Sequence, residues 1–94
     1  MTASNFYVYV HSRADDGLPF YVGKGKEDRA RDKDSRSDFW RSVVKKHGLV
    51  VEMIATDLEE AAAFELEVET IALYRSCGYP LANLTSGGDG PRGR

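Results

Sequence analysis

From Asn5 the chain reads Asn-Phe-Tyr-Val-Tyr-Val-His-Ser, a run of aromatic and β-branched residues in strict alternation that predicts a first strand. Alternation sets Phe6, Val8 and Val10 on one face and Tyr7, Tyr9 and His11 on the other, a polar-aromatic face expected to look outward. Arg13 to Pro19 carries turn chemistry around Asp16-Gly17, and Phe20-Tyr21-Val22-Gly23 supplies a short second strand, antiparallel to the first. Gly23-Lys24-Gly25-Lys26 then leads into the helix-compatible stretch Glu27 to Arg31.

Ser37 or Asp38 is placed to cap a helix over Phe39 to His47, with Phe39, Trp40, Val43 and Val44 as its buried stripe and Gly48 as its stop. Leu49 to Ala55 is the third strand. Asp57 is the expected cap of the longest helix, from about Leu58 to Arg75 or Ser76, which Gly78-Tyr79-Pro80 ends. Leu81 to Thr85 is expected to return as an extended segment ahead of a Gly-rich tail over 86–94. This order implies an α/β fold in which a small three-stranded antiparallel sheet packs against helices.

At 94 residues the chain is expected to form one domain over 1–94. No apolar run approaches the roughly 20 residues of a membrane span and the first residues do not read as a secretion signal, so a cytoplasmic protein is expected. Cys77 is the sole cysteine, which excludes an internal disulfide and a cysteine-rich zinc site, and His11 and His47 do not supply one. The net charge of −2 hides a segregation: Lys24 to Lys46 holds nine basic and five acidic residues, whereas Glu52 to Glu69 holds seven acidic residues and no lysine or arginine. The first segment suits phosphates and the second suits solvent.

Helical spacing sets Glu67 beside Ala63, Phe64, Ile71 and Tyr74, while Glu65 and Glu69 fall on the opposite side. A carboxylate on the inward side must be paired, hydrogen-bonded or bound to a metal. One carboxylate can hold a magnesium ion when water and phosphate oxygens complete the shell. An arginine near such a phosphate stabilises transition-state charge, and a tyrosine can help to take the proton of an attacking water. Tyr7, Tyr9, Tyr21, Arg29 and Arg31 are the available groups.

The order of these pieces resembles the GIY-YIG nuclease superfamily. Tyr7-Val8-Tyr9 stands where that family writes Gly-Ile-Tyr, and Tyr21-Val22-Gly23 where it writes Tyr-Ile-Gly. Arg29 resembles the family arginine, with Arg31 as its rival; Glu67 resembles the metal-binding glutamate and Asn83 the late asparagine. The ending Asn-Leu-Thr-Ser-Gly-Gly-Asp-Gly is similar to that of phage homing-endonuclease and stand-alone members. Two departures stand out: Tyr7 replaces the first glycine, and Lys33 occupies the place of a histidine or tyrosine one turn after the arginine.

The resemblance implies a metal-dependent endonuclease that hydrolyses DNA phosphodiesters. Tyr9 would assist the attacking water, Tyr21 would position or relay, Arg29 would hold the phosphate, Glu67 would bind magnesium or manganese, and Asn83 would orient the site. Lys24, Lys26, Arg31, Lys33, Arg36, Lys45 and Lys46 are the candidate DNA contacts, and a separate recognition domain or subunit is an expected partner. His47 is expected to serve local structure. The alternatives are a nucleic-acid-binding domain of the same fold that no longer cleaves, or a protein-interaction module using the aromatic face.

Overall fold

The computed structural model describes residues 4–83. Strands β1 (Phe6–Ser12), β2 (Pro19–Gly25) and β3 (Val50–Leu58) form an antiparallel sheet in the order β2-β1-β3, with a 3-10 turn at Arg29–Arg31, helix α1 (Asp38–His47) and helix α2 (Glu60–Ser76). The expected α/β class with a three-stranded antiparallel sheet and helices is therefore present, and among the described residues no helix is long and apolar enough to cross a membrane. The expected tail, with Leu84 and Thr85, lies outside the described residues.

The hairpin turns as its chemistry predicts: Gly17 adopts φ +78°, and Asp16 Oδ1 accepts from the Leu18 amide. Ser37 caps α1 by accepting from the Trp40 amide at 3.1 Å, and Gly48, at φ +81°, stops it. His47 does serve local structure. Its carbonyl accepts from the Ala14 and Asp15 amides, and its Nδ1 lies 2.7 Å from Asp15 Oδ2.

The two sheet faces are both covered, which overturns the outward tyrosine face. On one side Val8, Val10 and Val22 form the main core with Ala63 and Ile71 of α2. On the other, Tyr7, Tyr9 and His11 are buried, covered by Ala30 and Arg36 from the segment between β2 and α1 and by Trp40 from the first turn of α1. That cover comes from residues 19 to 29 positions away, which alternation within β1 does not encode.

Two further expectations are corrected. Phe39 is 52% exposed and leaves the buried stripe of α1 to Trp40, with Val43 and Val44 half-buried. Asp57 does not cap α2: β3 continues to Leu58 to pair with Phe6, Asp57 takes φ +59° within the strand, and Glu59 fills the N-cap position without a side-chain bond. Residues 81–83 form no strand, yet Ala82 donates to the Phe20 carbonyl at 2.5 Å and holds this segment beside β2.

Candidate functional site

Pleating and the antiparallel register bring Tyr9 opposite Gly23 and His11 opposite Tyr21 on one face of the hairpin. The Tyr9 ring lies over Gly23 so closely that a Cβ there would collide with its hydroxyl. Glycine is required at this position for the approach of a side chain rather than for its backbone angle. The Tyr9 and Tyr21 rings are 6.2 Å apart, and His11 stacks on Tyr21 at 5.5 Å.

The guanidinium inside this cluster belongs to Arg36. Its Cζ lies 5.8, 5.2 and 5.5 Å from the ring centres of Tyr9, Tyr21 and Trp40. Its Nε donates to the Asp32 carbonyl at 2.7 Å, one Nη to the Arg29 carbonyl at 2.8 Å and the other to the Tyr9 hydroxyl at 3.2 Å. Arg36 is 8% exposed, so its assignment as a DNA contact is corrected: it joins the loop to the tyrosines from within.

Tyr7 is held on both sides, donating to the Glu27 carbonyl at 2.6 Å and accepting from the Ala30 amide at 2.9 Å. Tyr7 thus pins the loop that carries Arg29. Burial pushes the Tyr9 hydroxyl up to about 12, reinforced by Tyr21 beside it, while the charge and hydrogen bond of Arg36 and the charge of Arg29 act the other way. At neutral pH Tyr9 is a neutral phenol, 1% exposed.

Arg29 is exposed; its Nη1 bonds Asp32 Oδ2 at 2.9 Å and Ser35 Oγ at 2.8 Å. The Ser35 hydroxyl, the Asp34 amide and the charge of Arg29 hold the Asp32 carboxyl below its ordinary value. Asn83 grips the outer edge of β2 with both ends of its amide: Oδ1 accepts from the Val22 amide at 3.1 Å and Nδ2 donates to the Val22 carbonyl at 2.7 Å. Tyr9, Tyr21 and Asn83 therefore meet around Tyr21 to Gly23, with Arg29 against Gly25 one step along the strand.

Glu67 lies inward with Ala63 and Ile71, as the spacing predicts, and Glu65 and Glu69 are exposed. Phe64, placed in the same inward group, is 44% exposed. The α2 helix meets the face opposite the tyrosines, so Glu67 and the phenols lie on different sides of the sheet. A hydrated cation held by one carboxylate needs that carboxylate open to water and phosphate. Glu67 is 3% exposed, and among the described residues no three His, Cys, Asp or Glu side chains form a group able to hold an ion. These residues do not fit a resident magnesium or manganese ion.

No family model matches the chain, and neither the curated proteins nor the solved structures give a match. The basic residues are dispersed around the loop and helices. Lys26, Arg31, Lys33, Lys45 and Lys46 are exposed, whereas Lys24 is half-buried with its Nζ 3.5 Å from Glu60 and 5.5 Å from the Phe6 ring centre. Lys26 shares that ring at 5.4 Å. Arg36 as the arginine of the aromatic cluster is the residue that sequence reasoning placed wrongly. Its one sequence signal is its position just ahead of the Ser37 cap, where the start of α1 aims it back at the sheet.

Proposed function

We propose that this chain binds the phosphodiester backbone of DNA at the β2 edge and hydrolyses it. The observation that carries the reading is the meeting of Tyr21, Tyr9 and Asn83 around Val22 and Gly23, beside a basic loop that leaves the Arg29 guanidinium exposed. Tyr21 is only half-buried and is the phenol within reach of a substrate, and Tyr9 sets its position from beneath. Arg29 turns from Asp32 to a phosphate oxygen, an exchange of one anion for another. Asn83 fixes the strand that carries Tyr21. No step passes through a bound cation.

A second reading, DNA binding without cleavage, is favoured by the enclosure of Tyr9 and Glu67. The two separate when the protein is incubated with supercoiled, branched and single-stranded DNA in magnesium, manganese or chelator. Cleavage that falls about 10²–10⁴-fold in Tyr21→Phe, the loss typical of a positioned acid–base group, is the expected result. Salt-sensitive binding with no cleavage in any buffer establishes the second reading and removes the first. Cleavage that survives both chelator and Glu67→Gln keeps the hydrolysis and removes the cation from it. Neither binding nor cleavage removes both readings.

A further inference from the structure

Between the β1–β2 turn and α1 lies a cleft of about 250 Å³ outside the tyrosine cluster. Helical spacing sets Phe39, Val43 and Lys46 along one stripe of α1 that forms one wall, while Leu18, Phe20 and Pro80 form the other side. The volume falls below the roughly 300–1,000 Å³ of sites for drug-sized ligands and suits a single planar ring system. Phe39 leaves a large aromatic surface in water at this cleft. Arg13 and Lys46 also line it, and no aspartate or glutamate does. Arg13 is paired with Asp16, but among the described residues Lys46 has no ion pair.

An aromatic wall with an available cation and no carboxylate matches a base joined to its phosphate: stacking on aromatic rings is tolerant of sequence, and the ammonium meets the backbone. Phe20, which forms the buried part of the cleft, packs with Trp40 in the cluster that Tyr21 also joins and lies 6.2 Å from the His11 ring, so the cleft adjoins the proposed site. We infer that this cleft receives an unpaired nucleobase, making DNA with an unstacked nucleotide the substrate class. The inference rests on the DNA-binding reading above and adds to it the form of DNA that is bound.

The test is fluorescence anisotropy of the full chain with three labelled probes: oligothymidylate, a strand of equal length with abasic residues, and a blunt duplex. Oligothymidylate is expected to bind most tightly. Phe39→Ala is expected to weaken its binding about tenfold or more, the effect of losing one base–aromatic stack, and to leave the abasic strand unchanged. Lys46→Gln is expected to weaken both strands and reduce the salt slope by about one. Because Phe39 is exposed, Phe39→Ala is expected to keep the wild-type melting temperature; a variant that fails this control is replaced by Phe39→Ser, read in the same way. Wild-type DNA binding with no loss in the folded Phe39 variant overturns the nucleobase cleft and leaves the DNA reading standing. Equal binding of oligothymidylate and the abasic strand does the same, as does a Phe39-dependent affinity for a glutamate-rich aromatic peptide that matches that for oligothymidylate. No binding to any DNA probe removes the DNA reading itself.

Discussion

The Trp40 indole N–H donates to Nδ1 of His11 at 2.9 Å. An indole nitrogen can only donate, so Nδ1 must be the unprotonated nitrogen, and Nε2 carries the hydrogen directed at the Ala30 carbonyl 2.6 Å away. A second proton on this ring would face another N–H. Burial, together with the charge of Arg36, lowers the His11 value from 6.5 to about 4, against the opposing effect of the Ala30 bond.

His11 therefore makes folding sensitive to mild acid. The unfolded chain takes up the proton near 6.5 and the folded chain only near 4, so stability is full above pH 6.5 and falls as the pH drops between those values. A loss of about 3 kcal/mol is expected from urea melts at pH 7.5 and pH 4. Asp16, held at about 2 chiefly by its bond to Arg13, stays ionised through this window. A flat stability profile from pH 7.5 to 4 contradicts the neutral tautomer.

Replacing Trp40 by Phe keeps a ring in the core but leaves Nδ1 buried without its donor. A loss of about 1–3 kcal/mol is expected, smaller at pH 4 than at pH 7.5 because the freed nitrogen can then accept a proton. Equal losses at the two pH values would show that the indole acts through packing alone.

At Gly23 an added methyl meets the ring of Tyr9, which is enclosed and has little room to yield. Gly23→Ala is expected to cost about 1–3 kcal/mol. The double variant Gly23→Ala with Tyr9→Ala should recover part of that cost relative to the sum of the single changes. Strict additivity in denaturant melts would place the strain elsewhere.

Arg36→Met removes three donors and uncovers the Asp32 and Arg29 carbonyls and the Tyr9 hydroxyl. A loss of about 2–4 kcal/mol is expected, of which Lys restores only part because an ammonium cannot span the same three acceptors. Hydrogen exchange at residues 29–36 should quicken more than exchange in α2. Uniform quickening would mean that Arg36 does not order this loop selectively.

Asn83→Ala loses both bonds to Val22, and about 1–2 kcal/mol is expected. Asn83→Asp should be no better, since it keeps an acceptor for the amide but sets a carboxylate oxygen against the Val22 carbonyl. Full stability in Asn83→Asp would contradict the two-ended grip.

Local chemistry was legible where a residue acts on its own neighbours. Ser37 caps, Gly17 turns, Gly48 stops, and the spacing of Glu65, Glu67 and Glu69 sorts one carboxylate inward and two outward. What was not legible depends on residues far along the chain. Tyr9 read as outward because alternation within one strand cannot tell water from a covering loop. Arg36 read as a surface cation because its three carbonyl and hydroxyl acceptors come together only in the fold. The same limit explains Asp57, whose capping role gives way once Leu58 pairs with Phe6. Of the expected constellation, Tyr9, Tyr21 and Asn83 converge on β2, while Glu67 is carried to the other side by α2.

Strand β3 forms a rim of the sheet and leaves Val50, Met53 and Ile54 partly in water, yet its pairing with β1 slips twice, once beside Ile54 and again in the stretch that holds Asp57. An incoming strand laid along that rim loses its hydrogen-bond spacing at each slip. The greasy border can thus stay open without inviting neighbouring copies to zip into fibrils.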